Sequence, residues 1–427
     1  MKPGLSELSI KAALIPNPLF STSIVAVDHT WILSIERGMS TLNVPFGNLQ
    51  VHYQAYKAQL DEAVARVLAS GHYILGPELE KFETEFAAFL GAKYVVGCAS
   101  GVEALYLAMA AEDIGPGDEV LVVAHTAVPS ISAISMTGAT PVFVDIKAST
   151  YVMRESELES KITAKTKMIV PVHLYGHMAE MEAICKIAAK HNIPVLEDVA
   201  QATGASYKGA IAGTIGTYGA FSFYPSKNLG AFGDAGAVCT NSEEKCKKLK
   251  MLRNYGQSKR YYHDIIGINS RLDEIQCAIL SAQLPFVHEW NERRREIAAR
   301  YTAGLKDLVV TPVEVPGFKH VYHLYVIQTQ YRDELQEYLL ERSVQCLIHY
   351  PIPAHLQQAY QYLGYKPGTL PTTEHIVKRI LSLPMFPEMT DGQVDQVIDG
   401  IRDFYREKGL RPETVPMATV GEVGAAN

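Results

Sequence analysis

From about Ala55 onward, short apolar runs alternate with stretches of helical spacing, and this alternation limits the folds open to the chain. The runs cover 94–98, 119–123, 141–144, 168–172, 194–196 and 220–223, and helical stretches such as 102–111, 155–162 and 178–191 separate most of them. Strand, helix, strand repeated in this way predicts a largely parallel sheet with helices on both faces. Ligands of such sheets bind beyond the carboxyl ends of the strands. Pro77 opens a further helix whose Leu79, Phe82, Phe86, Phe89 and Leu90 share one face, the pattern of core packing. A long helical segment at 284–301 then leads to a smaller α/β portion, with a strand at 323–328 and a helix at 332–342. A chain of 427 residues has room for both a large and a smaller domain.

Charge and cysteine usage exclude several classes. Lys and Arg number 39 against 46 Asp and Glu, a net charge of −7. Binding to nucleic acid or an anionic membrane would call for a basic face, so neither partner is expected. No apolar run approaches the ~20 residues that span a bilayer. The six cysteines are scattered without a C-x-x-C pair, which indicates neither a zinc site nor a disulfide framework. His173 and His177 are four apart with Gly176 between them in a strand-end turn, so no metal is expected there. The chain reads as a reduced, cytoplasmic, globular protein. Its first 38 residues differ from the rest: Pro3, Pro16 and Pro18 break them up, and Glu36-Arg37-Gly38 precedes Met39. Purine-rich codons for those three residues would resemble a ribosome-binding site, so we expect translation to begin at Met39, with 1–38 a non-native or disordered extension. An intact mass from the native host that includes residues 1–38 would overturn this. The tail at 413–427 is expected to be disordered.

Three segments carry chemistry. The first runs Phe221-Ser222-Phe223-Tyr224-Pro225-Ser226-Lys227-Asn228-Leu229-Gly230 and continues to Gly236. A lysine amine can form a Schiff base with a carbonyl cofactor if its pKa is lowered, and Ser222 could hold a phosphate; alone, a loop lysine is simply solvated. The second is Pro194-Val195-Leu196-Glu197-Asp198, an apolar strand ending in two acids. A carboxylate there can pair with a protonated pyridine nitrogen, or can merely cap the following turn. The third, Ser100-Gly101-Val102-Glu103, opens a helix whose free N–H groups favour a phosphate.

Helix-start turn, strand-end acid and lysine, in that order, make the chain similar to pyridoxal phosphate (PLP) enzymes of the aspartate-aminotransferase fold. It resembles the DegT/DnrJ/StrS family of nucleotide-sugar aminotransferases from Val44 to about Arg406. Further matches are Tyr73-Ile74-Leu75-Gly76-Pro77-Glu78, the 115–120 and 171–177 runs, Asn269-Ser270-Arg271-Leu272-Asp273-Glu274 and His349-Tyr350-Pro351. The resemblance implies fold type I, with a large PLP-binding domain at 39–285 and a small C-terminal domain at 286–412. Lys227 would carry the cofactor and shuttle a proton, and Asp198 would hold the pyridine nitrogen protonated. Gln201 would bond the phenolic oxygen, and Ser222 with Gly101 and Val102 would hold the phosphate. Asn269 would reach the phosphate of a neighbouring subunit, making the active unit a homodimer with shared sites. His323, His349 and Tyr350 would lie near the sugar. Three positions depart from the common pattern: Ala127 stands where many members stack an aromatic on the ring, Thr203 replaces a histidine, and Val102 replaces a threonine.

The implied reaction moves an amino group from L-glutamate to a nucleotide-linked keto-sugar. Among members, the chain is most similar to those aminating C3 of dTDP-3-keto-6-deoxyhexoses, giving dTDP-3-amino-3,6-dideoxyhexoses. A 4-keto-sugar, a 3-keto uronate or a keto-cyclitol would use the same cofactor residues. The dehydratases of the family replace the lysine with histidine, against which Lys227 stands. A non-enzymatic regulator is the remaining class, and no helix-turn-helix or basic patch supports it.

Overall fold

A computed structural model describes residues 43–413. The expectations for 1–38 and for the tail beyond Glu413 lie outside the described residues. Seven strands build the main sheet: β1 (Tyr94–Cys98), β2 (Glu119–Val123), β3 (Thr140–Val144), β4 (Thr166–Val170), β5 (Leu196–Asp198), β6 (Tyr218–Ser222) and β7 (Gly236–Thr240). Pairing orders them β3-β2-β4 and β1-β7-β6-β5, and parallel bridges Ile169–Val195 and Val172–Asp198 join the two halves. Only β7 runs against its neighbours. The sheet is therefore mostly parallel, and strands such as Val120–Val123 are fully buried because helices cover both faces.

Several strand bounds differ from the apolar pattern: 141–144 becomes Thr140–Val144, 220–223 becomes Tyr218–Ser222 and 323–328 becomes Tyr325–Gln328. Two further shifts have a visible cause. The stretch expected at 194–196 is shifted to Leu196–Asp198, so both acids lie within the strand. Glu197 tolerates this burial because its carboxylate accepts the N–H groups of Gly213, Ile215 and Gly216. The fourth strand ends at Val170 rather than 172, just before Pro171, which has no N–H to donate.

The helices that position the site are α1 (Leu49–Ala55), α2 (Lys57–Ser70), α3 (Pro77–Leu90), α4 (Gly101–Ala111), α5 (Val128–Thr137), α6 (Glu274–Gln283), α7 (Val287–Leu305), α8 (Arg332–Glu341) and α9 (Asp391–Lys408). In α3 the predicted apolar face is buried, with Phe86 edge-on to Phe221 and Phe223. Two apolar cores follow. One surrounds the main sheet; the other joins Tyr301, Leu335, Leu381 and Phe404 around the antiparallel pair β8 (Tyr325–Gln328) and β9 (Ile380–Leu383). Helix α7 links them, placing Val287 and Trp290 in the first core and Ile297 to Leu305 in the second. Val44 also packs in the second core through a bridge to Val344, so the described chain starts there before entering the sheet domain.

Candidate active site

The carboxyl ends of the parallel strands gather most of the residues singled out above. Asp198 ends β5, and its buried carboxylate accepts the Ser130 hydroxyl at 2.7 Å and the Ala200 N–H at 3.1 Å. Ser222 ends β6 beside the first turn of α4. The approach is so close that a Cβ on Gly101 would stand 2.5 Å from that of Ser222, and one on Gly236 would stand 2.3 Å from the Ser100 carbonyl. Only glycine lets the two strands and the turn meet here. The first bond into α4 runs from the Ala104 N–H to Ser100, and the Ser100 hydroxyl accepts from Glu103. The Gly101 and Val102 amides come before those bonds, at the positive end of the helix.

Lys227 sits in the loop after β6, its backbone N–H bonded to Tyr224 at 2.8 Å. Burial pulls its pKa down to about 8, with the Asp198 charge opposing that shift. Near neutrality roughly a tenth of this amine is unprotonated, the form a nucleophile or base requires.

Gln201 is fixed from both ends. Its Oε1 accepts the Tyr175 N–H at 2.8 Å, and its Nε2 donates to the Tyr350 hydroxyl at 3.0 Å, leaving one amide proton. Tyr175 in turn donates to the His349 carbonyl and meets His125 Nε2 at 2.7 Å. His349 contacts the Ser382 hydroxyl at 2.9 Å, and burial helped by Lys227 pushes its pKa down to about 4. His323 is also pushed well below its usual range by burial and by the Lys227 charge, so both rings are neutral.

The proton on His323 can be placed from its neighbours. Asn291 donates to the Thr203 carbonyl, so its Oδ1 accepts from Asn228; the Asn228 Oδ1 therefore accepts from His323 Nδ1–H at 3.0 Å. This leaves His323 Nε2 as a bare acceptor. Lys227, His323 and His349 line a cavity of about 290 Å³ shared with Phe46, Arg294 and Glu388.

Ala127 caps α5 at the sheet edge, where it offers only a methyl group. Asn269 stands apart, its side chain exposed and its backbone bridged to Asn254. The adjacent Ser270 accepts the Ala99 N–H and donates to Glu103, tying this loop to the start of α4. His173 and His177 do not form a site: His173 pairs with Glu197 and the Ala179 N–H, while His177 bonds Met178 and Val315. Among the described residues no group of three metal-ligating side chains occurs.

Sequence reasoning missed Ser130 and Tyr175. Ser130 gives no motif signal, but it lies one helical turn beyond Thr126 at a strand's carboxyl end, where a ligand edge is expected. Tyr175 lies within the 171–177 run, where the resemblance implies no role for it.

Residues 54–402 match the model of the DegT/DnrJ/EryC1/StrS aminotransferase family. The chain is 45% identical over 369 residues to a pleiotropic regulatory protein of Geobacillus stearothermophilus, covering 86% of this chain and 99% of that one. It is also 45% identical over 366 residues to the dTDP-3-amino-3,4,6-trideoxy-alpha-D-glucose transaminase of Streptomyces venezuelae, covering 85% and 97%. Among solved structures, S. venezuelae DesV in complex with a ketimine intermediate is similar with a TM-score of 0.84 and 46% identity, over 85% of this chain and 99% of that chain.

Proposed function

The chain belongs to the DegT/DnrJ/EryC1/StrS aminotransferase family, and from that premise we propose its amino donor, its sugar and the assembly in which it works. It is a PLP-dependent transaminase of nucleotide-linked keto-sugars. We assign L-glutamate as donor and a dTDP-3-keto-6-deoxyhexose as acceptor, giving a dTDP-3-amino-3,6-dideoxyhexose. The choice of sugar is supported by relatives at 45% identity whose names specify dTDP-3-amino sugars.

The residues present fit the cofactor. A turn kept open by Gly101, with a hydroxyl from Ser222, suits a phosphate, and a buried carboxylate faces the same site as an amine of lowered pKa. PLP supplies a carbonyl that exchanges with amines and a ring that withdraws electrons. Lys227 Nζ would hold the cofactor and, with its lowered pKa, would serve as the base that moves a proton at the substrate carbon. Asp198 keeps a proton on the pyridine nitrogen, and Ser130 and Ala200 hold the carboxylate in place for that task. The free N–H of Gln201 would bond the phenolic oxygen, while the Gly101 and Val102 amides and Ser222 would hold the phosphate. Ala127 would offer the ring only a methyl group, so stacking would be weaker or supplied by another side chain. His323 Nε2, His349 and Tyr350 face the sugar, where neutral rings and a hydroxyl suit neutral sugar hydroxyls. The observation that carries this reading is the buried Lys227 amine, its pKa lowered to about 8, within the field of the Asp198 carboxylate.

Incubating the protein with glutamate and a panel of nucleotide keto-sugars should give 2-oxoglutarate and one amino-sugar product with the dTDP-3-keto substrate. Turnover only with a 4-keto-sugar, uronate or cyclitol would reassign the substrate. We also assign a homodimer with shared sites, on the exposed Asn269 side chain, whose neighbour Ser270 ties the loop to the start of α4. Mixing Lys227→Ala with Asn269→Asp should then restore activity, because one site of each hybrid carries neither defect. Hybrids that form without activity would place each site within one chain.

A further inference from the structure

The cavity beside Lys227 is also lined by a histidine that the transamination chemistry does not use. His52, on α1, points Nδ1 at the Glu388 carboxylate (2.6 Å) and Nε2 at Gln283 Oε1 (2.9 Å). A carboxylate can only accept. The Gln283 orientation is fixed as well: its Nε2 donates to the Gly230 carbonyl at 2.9 Å and faces the Ile279 carbonyl at 3.4 Å, so a flipped amide would set oxygen against oxygen. Both ring nitrogens of His52 thus face acceptors, and both contacts are made only when both carry protons. A carboxylic acid with a neutral imidazole is the poorer arrangement, because the carboxylate is the weaker base.

These contacts join three chain segments at the cavity wall. His52 brings Phe46, Asn48 and Leu49; Glu388 brings Met385 to Pro387; and Gln283, through Gly230, reaches the loop that carries Lys227. We infer that His52, held as an imidazolium between Glu388 and Gln283, is a positioning residue that closes this cavity on the bound substrate and releases it when the ring loses its proton. The inference rests on the transaminase reading above.

The surrounding charges agree with the geometry. Burial opposes the charged ring most, and the Arg294 guanidinium of α7 opposes it further, yet the Glu388 and Gln283 bonds outweigh both, so the pKa is raised above 6.5. The other neighbours are aromatic: Trp290 lies edge-on at 4.8 Å, and the Tyr56 ring lies at 5.2 Å with its hydroxyl accepting from Trp290. A histidine with a raised pKa keeps its contacts below that pKa and loses one of them as pH rises through it.

The test follows KM for the keto-sugar and kcat from about pH 6 to about pH 9 in the holoenzyme. Wild-type KM should rise about tenfold with pH, the scale of one lost charge-assisted hydrogen bond, while kcat follows a separate profile. His52→Gln, which cannot donate to both partners, should show the high KM at every pH. His52→Arg keeps a permanent charge and two-sided donation, so it should hold a low, flat KM. Titration of the His52 ring by NMR, read on wild-type protein, needs neither turnover nor a variant. If no keto-sugar is turned over, the transaminase reading fails while this titration still reports on His52. A ring that titrates below its ordinary value, or a wild-type KM rise that His52→Arg leaves intact, would overturn the inference.

Discussion

Asp198, Ser222 and the Gly101 turn sit on strand ends of one sheet, whereas His323, His349 and Glu388 come from loops around the second core. The sheet side is fixed by backbone pairing and by glycines that leave no room for a Cβ, so its groups are held within a narrow range of positions. The loop side is held by side chains meeting side chains across long stretches of sequence, such as His52 with Glu388 and Gln201 with Tyr350. The electrostatics differ too. Lys227 is driven toward neutrality on the one side, while His52 is driven toward its charged form on the other. Chemistry shared by many amine and sugar substrates suits the rigid side; choice of sugar suits the loops, which can change without disturbing the sheet.

The sharpest way to break this comparison is to remove the sheet-side amine. Lys227→Ala should abolish transamination while its cofactor-loaded form lacks the absorption band of the lysine-bound state, and near-wild-type turnover would remove Lys227 from its role. A smaller loss is expected for Asp198→Asn, which keeps the shape and the Ser130 contact but removes the charge. Turnover should fall at least ~10²-fold, or about 3 kcal/mol of barrier. A variant within a few-fold of wild type would reduce Asp198 to a structural role.

The smallest effect concerns stability. A lysine whose pKa falls from 10.5 to about 8 binds its proton less well in the folded state than in the unfolded one. Stability should therefore rise with pH between those two values, and the cost of the buried charge is fully present below about 8. Apo Lys227→Met should be more stable than apo wild type near neutrality by roughly 1–3 kcal/mol, with the gap closing toward alkaline pH. Urea denaturation at several pH values would show this, and a gap independent of pH would contradict it.

The same division explains what could be read in the sequence. An apolar run that stops before Glu197-Asp198 marks both the strand and its ligand edge, whereas the run at 220–223 overshoots Ser222 by one residue because Phe223 is apolar too. Strand β7 was harder, since Gly236 opens it at the end of a glycine-rich loop and conceals the reversal of direction. Ser130 carries no motif, only its position one turn beyond a strand's carboxyl end. His52, Gln283 and Glu388 are separated by 231 and 336 positions from His52 to each partner, and nothing in their neighbourhoods marks them as a group. Only the placing of α1 beside the end of α6 and the 385–388 loop brings them together.

The central claim is that one amine at the sheet edge, Lys227, holds the cofactor. Borohydride reduction of the holoenzyme fixes the cofactor onto whichever lysine carries it, and peptide mass spectrometry then locates the added group. The account predicts one phosphopyridoxyl group per chain, on the peptide containing Lys227, and its loss when glutamate is added before reduction. Labelling of a different lysine, or none in cofactor-loaded protein, would contradict it.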